Sequence, residues 1–361
     1  MIKHVASVFV VLLVLVGMLG MGRHGQAKVP VSNQQDAVDP STREQLYPVE
    51  VAGKYGFINS KGEFVIDPIY DGAGYPSLPG DPVYVEDRAL KKQIYYSVTG
   101  DKLFECPLNT CGILYEGLAL YSSKIQNSDG TAVTRYGYIN EQGEIAIQPI
   151  YHQAFNFKDG LARVNQGKAA GYINTAGKLV IPFRYSLTTD FSEGLAAVML
   201  NVGGKYGYID PSGKSVVPPK FDYAQPFSND AAVVYVNGKY GYIDKAGNYI
   251  LKPQFSMAQP FSEGLALVER NGVTFVINKK GQKIIQNITA AGMFSGGLAP
   301  ASRGQEYGFI NTSGAFVVKP FLEWANTFSG DLAVVYLKDS ESPYYVSGYM
   351  NRSGEIVWPP Q

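Results

Sequence analysis

Few side chains in this sequence are spaced to do chemistry. His152 is the only histidine beyond residue 27. It occupies the place held by Asp71, Asp222 and Glu323 in related stretches. It therefore reads as an exposed turn residue, with no nucleophile or orienting carboxylate at a recognisable spacing. Glu116, Asp159, Glu193 and Glu263 recur at one turn position. Two carboxylates suffice for a glycosidase, so a carbohydrate-active enzyme stays open as the alternative function. Residues repeated from unit to unit are nevertheless expected to be structural. Asn127-Ser128-Asp129-Gly130 has the start of a calcium loop but lacks the distal Glu. Cys106 and Cys111, in Cys-Pro-Leu-Asn-Thr-Cys, are too far apart for a Cys-x-x-Cys redox pair. They suit a local disulfide in an oxidising compartment. No catalytic residue, metal or cofactor is expected.

The elements that carry these residues repeat. Tyr136-Gly137-Tyr138-Ile139-Asn140 recurs as Gly171-Tyr172-Ile173-Asn174, Tyr206-Gly207-Tyr208-Ile209-Asp210 and Tyr240-Gly241-Tyr242-Ile243-Asp244. Further copies begin at Lys54 and Tyr307, and the last runs from Gly348 to Asn351. The intervals between Gly137, Gly171, Gly207 and Gly241 are 34, 36 and 34 residues. Such a period marks repeat architecture. Each unit reads as three short antiparallel strands. The first alternates around its Gly, and Asp210-Pro211-Ser212-Gly213 then has type I turn chemistry. The second strand is expected to stop at Pro218-Pro219. A link follows with apolar anchors at Phe221, Ala224 and Phe227, and the third strand resembles Leu265-Ala266-Leu267-Val268. Gly within the first strand calls for close approach of a ring or of backbone. The repeated Tyr stripe reads mainly as core.

The ends suggest closure. Leu46 to Val51 resembles a third strand preceding the first unit, and Gly348 to Pro360 supplies a first and second strand with no third. Together they would make one unit shared between the termini, beside about eight internal units. That favours an all-β propeller-like ring, with an open β-solenoid as the alternative.

The pattern Lys-aromatic-Gly-aromatic-Ile-Asn, then Gly-Lys, Pro and Phe-Ser-Glu-Gly-Leu-Ala-x-Val, resembles the WG-repeat (KWG) family of bacterial proteins. The resemblance covers about 46–360, with Tyr where the family name expects Trp. It implies bacterial origin and an all-β repeat, and it carries over no catalytic residues.

Address and composition complete the reading. Lys3 and His4, the uncharged run Val5 to Gly22 and the small residues Gly25 and Ala27 have the layout of a signal peptide over 1–27. An uncleaved membrane anchor is the alternative, because the apolar run approaches the length of a membrane span. A linker, 28–45, precedes the repeat array, 46–361. The 361 residues carry 31 basic and 31 acidic side chains, which gives no electrostatic reason to expect nucleic acid. The 40 Gly and 21 Pro argue against long helices. The expected protein is exported, non-enzymatic, and a binding module or scaffold of the cell envelope or extracellular space. Its ligand would be a protein or a cell-surface glycan.

Departures from the repeat are the candidate binding positions. Glu86–Gln93, Ser122–Thr134 and Lys338–Ser347 expand the same junction, and 72–82 is irregular. Loops at one junction emerge on one face. They offer Arg88, Lys124, Asp129, Tyr344 and Tyr345 as contacts, although tolerated insertions would look the same.

Overall fold

The computed structural model describes residues 44–76, 79–127, 130–338 and 345–358. The expected signal segment and nearly all of the linker lie outside them. Among the described residues there is no helix, and the strands form nine small antiparallel sheets. Each sheet is built from consecutive strands, and the sheets form the blades of a nine-bladed β-propeller. Blade 1 spans 47–70, blade 2 72–107, blade 3 111–151, blade 4 153–185 and blade 5 187–221. Blades 6, 7, 8 and 9 span 223–255, 257–285, 290–322 and 324–358.

Ring closure follows from packing. Nine apolar clusters fill the contacts between successive blades. One of the nine joins Tyr47, Val49 and Ile58 of blade 1 to Leu332 and Tyr349 of blade 9. Successive residues of an inner strand face opposite neighbours. Ala231 and Val233 pack towards blade 7, whereas Ala232 and Val234 pack towards blade 5. A strand covered on both faces reads as a continuous apolar run, as Ala231–Val234 does.

The units have four strands where the sequence suggests three. The additional strand comes from the link and is often two residues long, as in Tyr223–Ala224, which pairs with Tyr235 and Val234. Two residues are too few to show a period. Among the described residues blade 1 alone has three strands, Tyr47–Val51, Lys54–Ile58 and Phe64–Tyr70, without a counterpart of this first one. The blade boundary falls inside the sequence unit, so each blade takes strands from two successive copies of the motif.

The unit expected to be shared between the termini is divided between blades 9 and 1, as each copy of the motif is divided between two blades. Tyr47–Val51 pairs with Lys54–Ile58 in its own blade, across a turn in which Ala52 and Gly53 are both left-handed. A two-residue loop of this type matches the strand twist and costs little closure entropy, so the local partner wins over a distant one. Gln45, expected in the linker, is buried and donates to Ser329 Oγ at 2.8 Å, so it belongs to the array.

Pro218 and Pro219 also do not end their strand. Ser215–Phe221 runs through them, with register shifts on either side of the Tyr208–Val217 pair. It is an edge strand, where a missing N–H is tolerated. The irregularity brings backbone against the motif glycine. A Cβ on Gly207 would lie 2.4 Å from the Val217 carbonyl oxygen, and one on Gly137 would lie 2.3 Å from that of Ile147. Backbone, rather than a ring, is therefore what the motif Gly admits.

Candidate functional site

The two faces of the ring differ. One carries the turns between first and second strands and those between third and fourth strands. The repeated acids lie here, and they hold blades together. Glu193 sits at φ 53°, before the left-handed Gly194. Its Oε2 accepts the Asp230 N–H of the next blade at 2.9 Å. Glu116 accepts from Gly160, Asp159 from Gly194 and Glu263 from Gly297 in the same way. Lys245 adds ion pairs to Glu193 (3.2 Å) and Asp230 (3.0 Å). A charge-assisted bond to the next turn compensates for a left-handed Glu. His152 is likewise tied locally, its Nδ1 accepting the Gly167 N–H at 3.2 Å.

The opposite face carries the hairpins between second and third strands. The three expanded junctions are such hairpins, in blades 2, 3 and 9, so they share a face and cluster on one side of the ring. Arg88 is exposed, with its N–H on Asp71 Oδ2 (2.8 Å) and its guanidinium 3.8 Å from Glu86. Lys124 is exposed in a hairpin strand opposite Thr134. No contact joins Arg88 to Lys124. Tyr345 pairs with Lys338 through backbone, while Asp129 and Tyr344 lie outside the described residues. Of the five candidates the structure describes Arg88, Lys124 and the backbone of Tyr345, each on a hairpin of this face. Cys106 and Cys111 are bonded to each other. Among the described residues, no group of three or more His, Cys, Asp or Glu side chains is placed to hold a metal.

What sequence reasoning missed is the seam between blades 9 and 1. In blades 3 to 6 the buried tyrosine of the third strand donates to a carbonyl at or just beyond the next blade's first strand. Tyr208 reaches Gln225 O and Tyr242 reaches Gln259 O, each at 2.7 Å. At the seam the described residues include no such strand. Tyr349 instead donates to Pro48 O, in the strand behind, at 2.8 Å. Tyr47 stands where seven other blades have Ala (Ala232 and Ala266, for example) and fills part of the gap. Its hydroxyl donates to Ser329 O at 3.0 Å and accepts the Asp331 N–H at 2.9 Å, and its ring meets Tyr349 edge-on at 5.4 Å. Tyr75, from the irregular 72–82 stretch, folds back so that its hydroxyl meets that of Tyr349.

The remaining space is a cleft of about 400 Å³ walled by Tyr55, Tyr75, Tyr336, Tyr349 and Trp358, with Glu50 at its edge. Tyr336 and Tyr55 sit beside the hairpins of blades 9 and 1, so the cleft borders the face with the expanded hairpins. Glu50 accepts from the Tyr55 hydroxyl and raises its pKa above the ordinary phenol value. Burial raises Tyr349 and Tyr75 likewise, and the nearby Tyr336 adds to the rise of Tyr75. Arg88 acts on Tyr55 more weakly than Glu50 does. The arrangement offers ring faces, hydroxyls and one carboxylate. The available sequence signal is that nothing resembling Phe221-x-x-Ala224 precedes Leu46, and that Tyr47 replaces the usual Ala.

Comparison with known proteins bears on fold and family. No curated protein matches the chain. Among solved structures, the dihydro-heme d1 dehydrogenase NirN in complex with DHE aligns with TM-score 0.44 and 13% identity, covering 94% of this chain and 77% of that one. Apo AztD from Citrobacter koseri aligns with TM-score 0.40 and 8% identity, covering 87% and 93%. A streptogramin B lyase aligns with TM-score 0.32 and 13% identity, covering 73% and 96%. The WG containing repeat family matches residues 55–77, 136–168, 171–206, 206–240, 240–273, 275–305 and 307–339. Seven matches over more than half of its length show that this chain belongs to the WG-repeat family.

Proposed function

We propose that the protein is an exported, non-enzymatic binding protein of the cell envelope or extracellular space, and that it captures a protein or cell-surface glycan at the blade 9–blade 1 seam. The observation that carries this reading is the coincidence of two features. The ring repeat is broken at blade 1, and an aromatic cleft opens at the break beside the expanded hairpins. Concave sites with aromatic walls and a few placed polar groups are the usual form of ligand sites. Aromatic rings with exposed faces also supply much contact area at low conformational cost.

The carboxylates favour binding over turnover. Glu116, Asp159, Glu193 and Glu263 are each committed to a backbone N–H of the neighbouring blade. Among the described residues Glu50 is the only carboxylate lining the cleft, whereas glycoside hydrolysis by acid–base chemistry needs two. Export is supported by the basic start, the apolar run and the small residues before Lys28, together with a Cys106–Cys111 disulfide that suits an oxidising compartment.

The test is saturable binding of the purified protein to a panel of cell-wall glycans, polysaccharides and envelope proteins, with product analysis on the same samples. Saturation without product, weakened at least ~10-fold by Tyr336→Ala, is the expected result. Product formation, or binding indifferent to the seam, contradicts the reading. The mass of the protein recovered after export shows whether 1–27 is removed.

A further inference from the structure

We infer that the seam cleft recognises an organic ammonium group, the positively charged nitrogen of a ligand such as a quaternary amine. This deepens the binding reading above and rests on it. The charge balance of the cleft comes first. Its lining holds Glu50 and no Lys, Arg or His. Arg88 acts on the Tyr55 wall more weakly than Glu50 does, so the cleft favours a cationic ligand over an anionic one.

The rings supply the second observation. In regular blades the aromatics at these positions are spent on each other. Tyr206 packs on Tyr223 (6.1 Å between centroids), Tyr235 on Tyr240 (4.7 Å) and Tyr307 on Trp324 (4.7 Å). At the seam Ser347 stands at the place of Tyr206, and among the described residues no first strand of blade 1 brings a ring opposite it. Glu50 in turn stands at the place of Tyr235, opposite Tyr55. The faces of Tyr55, Tyr75 and Tyr336 are therefore not stacked on any ring among the described residues. Among the described residues no cation lies over them either; the cation–ring contacts fall on Phe155, Tyr185, Phe221, Phe275, Phe316 and Phe328.

Unstacked aromatic faces around a small concavity, with a carboxylate at the rim, form a receptor for a cation. The ring quadrupole attracts positive charge, most strongly where water is excluded. The Tyr hydroxyls do not compete for this role. Tyr349 is committed to Pro48 O and Tyr55 to Glu50, which fixes the walls.

The chain's two tryptophans give the readout, since Trp358 lines the cleft and Trp324 does not. In a Trp324→Phe background, Trp358 emission is titrated with choline chloride and with its neutral isostere 3,3-dimethylbutan-1-ol, at fixed ionic strength. Calorimetry on the unmodified protein repeats both titrations, so a poorly folded variant cannot decide the result. The expected outcome is saturable choline binding, at least ~10-fold tighter than the isostere, and weakened several-fold by Glu50→Gln and by Tyr336→Leu. Equal binding of the isostere overturns the inference, as does choline binding indifferent to both substitutions. Failure of choline while a panel glycan or protein binds at the seam overturns the ammonium class and leaves the binding reading standing. Failure of every probe at the seam overturns both.

Discussion

Replacing the motif glycine Gly207 with Ala tests the physical account of the repeat. The added Cβ would lie 2.4 Å from Val217 O, 2.8 Å from Pro219 N and 3.0 Å from Pro218 C. All three are backbone atoms, so no side chain can swing aside. Ordinary contact begins near 3.4 Å, and the paired strands must part by about 1 Å. Overpacking of this kind costs about 3 kcal/mol or more when backbone has to move. The substitution also stiffens the unfolded chain, which returns about 0.4–1 kcal/mol. The net expectation is a loss of about 2 kcal/mol or more. Gly194→Ala is the matched control. Gly194 is left-handed at φ 80°, but a Cβ added there would have nothing within 4 Å. It bears only the conformational cost of about 1–2 kcal/mol, less the same unfolded-state return. Urea denaturation of the three proteins, compared through midpoint and slope, gives both differences. A Gly207→Ala protein no less stable than Gly194→Ala refutes the argument that backbone approach imposes the glycine.

Three further outcomes follow from the packing. Tyr47→Ala removes a buried ring and its contacts with Ser329 and Asp331, and should cost about 3–5 kcal/mol in the same denaturation assay. A change under about 1 kcal/mol would mean that Tyr47 does not close the ring. Tyr208→Phe leaves Gln225 O without its donor and should cost about 1–3 kcal/mol, with little change in the slope. The carboxyl of Glu105 is held down at about 2 by hydrogen bonds from Lys102 and Lys92. A depressed carboxylate stabilises the fold above its unfolded value of 4.5 and loses that contribution as pH falls towards about 2. The stability difference between the protein and its Glu105→Gln variant should therefore be constant at neutral pH and vanish across that window. A difference that persists at pH 2 contradicts the assignment.

The repeat is legible in the sequence because many positions recur in register and period-two alternation survives in each strand. The ring is legible from the phase of the two ends, Leu46–Val51 and Gly348–Pro360, although those pieces form separate blades. Strand count is not, because a pair such as Tyr223–Ala224 is too short to carry a period. Pro218-Pro219 looks like a terminator because sequence does not reveal that the strand lies at a sheet edge. The structural role of the turn acids follows from their recurrence, but their partners lie a full blade away and no local spacing names them. The seam is the least legible feature. Among the described residues its traces are the Ala-to-Tyr change at Tyr47 and the rings of Tyr55, Tyr75 and Tyr336, which stack on no other described ring.

The central claim is that the broken repeat at blade 1 is the binding site. Amide hydrogen exchange with and without a saturating panel ligand tests it most directly. The account predicts new protection confined to Tyr47–Val51, Lys54–Ile58, 73–75, Leu332–Lys338, Tyr345–Asn351 and Ile356–Trp358. A second cleft, between blades 7 and 9, is lined by Met257, Thr289 and Trp324 and should stay unprotected. Protection centred there, with the seam unchanged, would contradict the account.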